Sequence, residues 1–270
     1  MKHVVLVLCI FIISCKTTNV QNNSEPKPEA GVDLTMFYTP QELTKIEFIE
    51  STGRLIWIKD SLAWQATDIL LEAIDPAQLK NSKGWVVHLN KPESPTVTFY
   101  QELNQKLDVI ADVVFDKNFQ NPNLILAPER TVTKREYNMV TALNTVRSSL
   151  KTACSPTVNS VVLPMENGWQ VYILTATKEP GVIPIGGHKQ YITSPDGKTI
   201  LSEEAYSKSC IKLQEPKDPT IAMGLTHIVD DFPAPTHVFH NLQTGFIFYI
   251  KTEKGIWKIV EGEITLLQDT

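Results

Sequence analysis

The stretch from Gly168 to Cys210, GWQVYILTATKEPGVIPIGGHKQYITSPDGKTILSEEAYSKSC, carries the clearest strand and turn signals of the chain. Residues 169–174 form two alternating rows, as successive side chains of a strand do. Pro184 to Thr193 supplies the next strand, and Ser194-Pro195-Asp196-Gly197 has the composition of a tight turn into a third. The stretch therefore predicts a short antiparallel meander, and the remaining segments are interpreted around it.

Length and composition indicate a folded protein. The chain has 270 residues, of which 42% are hydrophobic, enough for one large domain or two small ones with a core. Its net charge is -5, and Lys and Glu are interleaved without a basic block. The electrostatic attraction that drives nucleic-acid binding is therefore missing, and we expect no nucleic-acid partner.

The first fifteen residues, MKHVVLVLCIFIISC, have the layout of a secretory signal peptide. The apolar run from Val4 to Ile13 is too short to span a bilayer, which takes about 20 helical residues. Ile12-Ile13-Ser14-Cys15 resembles the bacterial lipobox, although Ile stands where Leu is commonest. The alternative is an ordinary signal peptide or membrane anchor that contains an incidental cysteine.

The lipoprotein resemblance implies that Cys15 is acylated and becomes the mature N-terminus. Several acyl chains hold a protein at a membrane far more firmly than one chain does, so the domain would be tethered to the membrane without spanning it. Lys16 follows Cys15, and in Gram-negative lipoproteins a residue other than Asp favours the outer membrane. We expect a cell-envelope location facing the periplasm or the cell surface, with residues 16–35 as a flexible tether.

Four cysteines divide by compartment. Cys9 lies in the run that is removed and Cys15 is the lipid site, which leaves Cys154 and Cys210 in the exported domain. In an oxidising compartment this pair predicts one disulfide bond. The alternative is a reactive thiol that works with a histidine.

The first half predicts helix followed by sheet. Thr39-Pro40-Gln41-Glu42 is a typical helix start, but residues 43–57 fit either a helix or a hairpin. Asp60 is interpreted as the cap of a second helix that ends before Asp75-Pro76. Strand-like runs then begin at Gly84, Thr96 and Leu107.

The same order occurs again in the second half. Residues 131–154 have helical spacing and are followed by VNSVVL, GWQVYIL and the strand before the Ser194 turn. We therefore predict an α+β fold of two helix-plus-sheet units, 36–128 and 129–270, with a possible internal duplication. The alternative is that a turn Gly followed by a strand Trp is merely a common strand opening.

Three further strand-like runs after Cys210, THIVD, THVFHNL and FIFYIKT, are expected to extend the second sheet. A last hairpin is predicted around Glu261-Gly262.

One grouping of side chains suggests metal or acid–base chemistry. Its members are His188, His227, His237, His240, Asp230 and Asp231. Residues 237–240 have the composition of a strand, in which side chains three apart point to opposite faces, so ordinary buried or surface histidines are the favoured interpretation. A serine triad of Ser209, His227 and Asp231 is a weaker alternative because no motif marks the serine. No cofactor is expected.

Gly186-Gly187-His188 is a weak candidate for ligand binding. Glycines let a backbone approach a ligand closely, but such a pair more often marks a bulge or the start of a strand. We therefore favour a structural role for the two glycines.

The C-terminal half resembles a set of uncharacterised bacterial proteins. The resemblance lies in the segments VYILTATKEPGVIPIGGH, SPDGK, SKSC, THIVDDFP, THVF and GIWKIVEGEI. It implies no activity, ligand or catalytic residue. The helix-then-meander order is also similar to cystatin-like and PepSY-type modules, which usually inhibit, bind or scaffold. We expect a non-enzymatic binding, inhibitory or accessory module with a possible envelope protein partner; the alternative is an envelope hydrolase that uses a metal or a serine.

Overall fold

The computed structural model describes residues 38–151, 154–218 and 220–269. The predicted signal peptide (1–15) and tether (16–35), with Cys9 and Cys15, lie outside the described residues. Residues 41–270 form one compact unit.

Three helices and fourteen strands are present among the described residues. The helices are α1 Pro40–Ala73, α2 Lys134–Ser149 and α3 Pro235–Thr244, and a 3-10 turn spans Pro76–Leu79. The strands of the first half are β1 Ser82–His88, β2 Thr96–Leu103, β3 Lys106–Val114 and β4 Asn123–Leu126. The remaining strands are β5 Val158–Met165, β6 Gly168–Thr175, β7 Val182–Pro184, β8 Lys189–Thr193, β9 Ile200–Ala205, β10 Lys212–Gln214, β11 Met223–Thr226, β12 Phe248–Lys251, β13 Gly255–Val260 and β14 Glu263–Asp269.

The strands form three four-stranded sheets and one small pair. Sheet 1 has the order β1-β2-β3-β4 and sheet 2 the order β5-β6-β8-β9, and both are antiparallel. Sheet 3 has the order β11-β12-β13-β14, in which β11 and β12 run parallel, and β7 pairs with β10. The predicted α+β class is confirmed.

Helix α1 is one continuous helix of 34 residues. It begins at Pro40, as predicted, because proline at the first helical turn needs no hydrogen-bonded N–H. The hairpin alternative for residues 43–57 is wrong, and so is the cap at Asp60, which lies inside the helix. Gly53 lies inside α1 where α3 approaches closely, since a Cβ at this position would collide with Val238 and with the backbone of Pro235 in α3.

Helix α1 packs on sheets 1 and 2. Leu62, Ala66 and Leu70 join the buried residues of sheet 1. One to two turns earlier, Ile56 is fully buried among residues of sheet 2 and α3. Strand β1 lies next to β5, so the two sheets meet beside the helix.

Helix α2 covers the opposite side of the same sheets. Its start is fixed by a capping box in which Thr133 and Glu136 exchange hydrogen bonds. The buried face of α2 packs against sheets 1 and 2 in one cluster that includes Val86, Tyr100, Val109, Met139, Leu143, Val146, Val162, Trp169, Val171, Ile173 and Tyr191. The two predicted helix-plus-sheet units therefore share a hydrophobic core, and the duplication stays a prediction.

The meander predicted for Gly168 to Cys210 is present as β6, β8 and β9. The turn is confirmed, with the N–H of Gly197 donating to the carbonyl of Ser194 at 2.8 Å. The single strand predicted from Pro184 to Thr193 is wrong, because the chain leaves β7 and enters sheet 2 only at Lys189. The predicted disulfide joins Cys154 and Cys210, whose Cα atoms lie 5.3 Å apart.

The C-terminal runs differ from the expectation in three ways. FIFYIKT supplies β12 of sheet 3, not an extension of sheet 2, and THIVD is not a strand, since only its first residue, Thr226, belongs to β11. THVFHNL is helix α3, not a strand. The final hairpin around Glu261-Gly262 is confirmed by the pairing of β13 with β14.

Replacing Ile56 by Ala should lower the free energy of unfolding by about 2–5 kcal/mol, because the side chain is fully buried where α1 meets sheet 2. Trp64→Ala on the same helix is the control, since Trp64 is 67% exposed and its loss should change stability by roughly 0.5 kcal/mol or less. Urea denaturation of both variants measures the difference. Equal losses would contradict this account of how α1 packs.

Candidate functional site

A wide groove lies on sheet 1, beside the beginning of α2. Helix α2 covers only part of this face of the sheet, and the uncovered part forms a groove of 1050 Å³. Its lining residues are His88, Asn90, Lys91, Ser94, Thr96, Thr98, Asp112, Val114, Pro128, Glu129, Arg130, Thr131, Thr133, Arg135 and Glu136. Strands of sheet 1 thus form the base of the groove, and the loop that leads into α2 forms its side wall.

Arg130 organises the wall of this groove. Its guanidinium donates to both carboxylate oxygens of Asp112 at 2.7 and 2.8 Å, and to Glu136 at 2.9 Å. Thr98 Oγ1 also donates to Asp112 at 2.6 Å. A two-pronged arginine–carboxylate contact fixes both direction and distance, so the loop carrying Arg130 is held against β2 and β3.

The carboxylates of this network remain charged. Burial alone would raise the pKa of Asp112, but hydrogen bonds from Arg130 and Thr98 outweigh it and lower that pKa. Burial likewise acts to raise the pKa of Glu136, and the hydrogen bonds from Thr133 with the charge of Arg130 lower it. Two anions therefore share one guanidinium.

A hydrogen-bonded row continues from Glu136 into the sheet. The hydroxyl of Tyr100 donates to Glu136 at 3.0 Å, and His88 Nε2 lies 3.2 Å from the same hydroxyl. Burial lowers the pKa of His88 to about 4, so this ring is neutral at pH 7. With Tyr100 donating to the carboxylate, His88 is the donor to the tyrosine oxygen.

The four histidines named from the sequence are all buried, and the structure brings them close together in two pairs. His188 Nε2 lies 2.8 Å from His240 Nε2, and the rings of His227 and His237 meet edge to face with centroids 4.9 Å apart. Burial lowers the pKa of each of the four rings. They therefore form a neutral cluster between sheet 2, sheet 3 and α3.

Hydrogen bonds assign the tautomers of one pair. The N–H of Thr175 donates to His188 Nδ1 at 3.0 Å, so the proton of neutral His188 is on Nε2. This Nε2–H donates to His240 Nε2, which places the proton of His240 on Nδ1. Both rings thus act as fixed connectors between sheet 2 and α3.

The strand interpretation of residues 237–240 is wrong. Pro235 occupies the first turn of α3, where proline is favoured, so the prolines begin this helix and do not prevent it. His237 Nδ1 accepts the N–H of Ala234 at 3.0 Å, which supplies an N-terminal cap. This local role accounts for His237 without a ligand.

Of the two acidic candidates, Asp230 lies near His227, where its charge acts to raise the pKa of that ring against the effect of burial. Asp230 forms an ion pair with Lys45 at 2.8 Å, and Asp231 is exposed and accepts Thr252 Oγ1 through its backbone carbonyl. Among the described residues, no group of three or more His, Cys, Asp and Glu side chains is arranged to hold a metal ion. The metal-dependent alternative stays a prediction.

The serine alternative has no supporting contact. Ser209 is exposed in the loop before Cys210, and its carbonyl accepts the hydroxyl of Ser207 at 2.8 Å. In the part of the chain that the structure describes, no hydrogen bond joins Ser209 to His227. His227 instead lines a 210 Å³ pocket with Lys45, Tyr206, Asp230 and Phe232.

Gly186 and Gly187 allow close packing within the protein. A Cβ at Gly186 would collide with the backbone of Ser209 and Ile211, and one at Gly187 would collide with Cys154. Gly187 also has a φ of 86°, which favours glycine. The two glycines therefore let their backbone pack closely against the segments that carry Cys154 and Cys210.

The residues of the groove were not singled out by the sequence. The one available signal was Thr133-x-x-Glu136, which has the pattern of a capping box. That pattern predicts a helix start, and nothing in it indicates that Glu136 also meets Arg130 and Tyr100.

Comparison with family models, curated proteins and solved structures gives no match for this chain. Among the helices that the structure describes, none is both long and apolar enough to cross a membrane.

Acid should destabilise the protein through the histidine cluster. The unfolded chain takes up a proton at His188 near pH 6.5 and the folded chain only near pH 4, so the unfolding free energy falls as the pH drops through this window. His188 by itself accounts for about 2 kcal/mol of this fall by pH 5.

Urea denaturation at pH 7 and pH 5 measures this effect. His188→Gln should be less stable at pH 7 but should lose less stability on acidification than the wild type. An unchanged loss would show that other groups control the acid response.

Proposed function

We propose that this protein is a lipid-anchored, non-enzymatic binding module of the cell envelope. Its ligand site is the groove on sheet 1, and its ligand is an extended polar segment of an envelope protein. The observation that carries this proposal is the 1050 Å³ groove with a wall fixed by Arg130.

The polar network supports binding through a preformed surface. Arg130, Asp112 and Glu136 direct their charges at one another, and these contacts hold the groove in one shape before any ligand arrives. A surface that is already ordered loses less conformational entropy on binding. The network therefore supports recognition of a ligand by a groove that already has its bound shape.

The groove lining supports a ligand rich in hydrogen-bonding groups. Amide and hydroxyl side chains contribute much of it, namely Asn90, Ser94, Thr96, Thr98, Thr131 and Thr133. The exposed side chains of the groove include two positive charges, Lys91 and Arg135, and one negative charge, Glu129. Main-chain amides and polar side chains of an extended peptide are suited to such a surface.

The membrane anchor is proposed from the sequence around Cys15. Cys15→Ser should abolish labelling by a palmitate analogue and release the protein from the membrane fraction. Cys9→Ser is the matched control and should remain labelled and membrane-bound, because Cys9 lies in the segment predicted to be removed. Labelling that survives Cys15→Ser would contradict the proposed anchor.

Binding in the groove is tested by blocking it. Thr131 is exposed on the groove wall, so Thr131→Trp should obstruct part of the groove and reduce recovery of a crosslinked envelope partner at least about tenfold. Thr265→Trp on sheet 3 is the control, since Thr265 is also exposed but is not part of the groove lining.

The measurement is crosslinking in intact cells followed by purification of the full chain and mass spectrometry. The same partner should appear with the wild type and with Thr265→Trp. Equal recovery with Thr131→Trp would place the binding surface elsewhere.

A further inference from the structure

Lys59 is a buried lysine where α1 passes from sheet 2 to sheet 1. The residue is 5% exposed, and its ammonium donates to the carbonyl of Val87 in edge strand β1. Among the described residues, it forms no ion pair with a carboxylate. A buried amine with one carbonyl partner lacks the opposite charge that usually accompanies it.

A pocket of 240 Å³ opens beside this amine. Its lining residues are Leu55, Lys59, Val87, His88, Leu89, Asn90, Arg135, Met139, Leu163 and Pro164. The pocket therefore joins α1, α2 and the adjoining ends of sheets 1 and 2. Most of its walls are apolar. Lys59 and Arg135 are the cationic lining residues, His88 is neutral at pH 7, and no lining residue is acidic.

Arg135 is the second cation of the pocket. It lies in the first turn of α2, with its guanidinium 5.3 Å from the ring centre of Trp169. It has no ion-pair partner within the described part of the chain. The neighbouring carboxylate of Glu136 is already bound to Thr133, Arg130 and Tyr100.

The two cations repel each other across the pocket. Burial, with a smaller contribution from the charge of Arg135, lowers the pKa of Lys59 to about 7. An anion placed between the two groups would remove this repulsion and favour the charged form of Lys59. The pocket volume, the two cations without an ion-pair partner and the apolar walls therefore all favour a ligand that has one negative charge and an apolar part.

We propose that this pocket binds a small apolar monocarboxylate, with the carboxylate between Lys59 and Arg135 and the hydrocarbon part against Leu55, Met139 and Leu163. The site is separate from the proposed peptide groove, although His88, Asn90 and Arg135 border both. Its occupation does not depend on the groove having a partner.

Isothermal titration of the detergent-solubilised full chain with hexanoate tests this site, with titration of protein-free micelles subtracted. One hexanoate per chain should bind. Lys59→Met and Arg135→Gln should each weaken the binding at least about tenfold, because each removes one charged hydrogen-bond donor. Lys91→Gln is the control, since Lys91 lines the groove but not this pocket. The Lys91→Gln variant should bind hexanoate with the affinity of the wild type.

Two further ligands define the chemistry. 1-Hexanol, which keeps the chain but lacks the charge, should bind at least about tenfold more weakly than hexanoate. Acetyl-leucine carries the carboxylate and apolar side chain of a peptide C-terminus. If it binds more tightly than hexanoate, the natural ligand is a peptide C-terminus; if it binds more weakly, the natural ligand is a free carboxylic acid. Either order supports the proposal.

The proposal is overturned if hexanoate and acetyl-leucine both fail to bind, if hexanol binds as tightly as hexanoate, or if Arg135→Gln binds like the wild type. Arg135 is exposed, so this variant keeps the test valid even if Lys59→Met does not fold. Thr131→Trp should still bind hexanoate, which separates failure of this pocket from failure of the groove.

Discussion

Helix α1 has to pack on two sheets and contact a third, and the rest of the structure depends on that constraint. Its C-terminal half lies on sheet 1, Ile56 is buried against sheet 2 and α3, and Glu50 accepts the backbone N–H of Ile264 in sheet 3 at 2.6 Å. Side chains on one helix keep fixed spacings, so movement of one sheet along α1 would disturb the others. This explains why residues 41–270 form a single compact unit despite three separate large sheets.

The polar residues of the two candidate sites lie where the packing of α1 and α2 on the sheets leaves open space. Helix α2 fills the space against both sheets up to its first turn, and there the hydrophobic contacts give way to Arg130, Asp112 and Glu136. On the other side, Lys59 occupies the place where α1 changes from one sheet to the next. Both candidate sites therefore arise at the ends of hydrophobic contacts, where surface remains open but the backbone is held firmly.

Local signals predicted most of the elements. The start of α1, the turn after Thr193 and the pairing of Cys154 with Cys210 each depend on a few neighbouring residues or on compartment. Residues 237–240 were misjudged because valine and phenylalanine favour strands locally, whereas burial among three elements selects the helix. The groove and the Lys59 pocket could not be predicted, since they depend on how far α2 extends over sheet 1 and on which residues distant in sequence become neighbours.

The tautomers of the His188–His240 pair have a consequence for how the fold opens. If His240 gained a proton on Nε2, two N–H groups would face each other across 2.8 Å; if His188 gained one on Nδ1, it would confront the N–H of Thr175. Protonation of His240 would break the hydrogen bond that joins α3 to sheet 2, whereas protonation of His188 would break its bond to Thr175 within sheet 2. Acid would thus loosen the contact between α3 and sheet 2, and because Phe239 of α3 packs in the same cluster as Ile56, it would loosen the α1 core there as well.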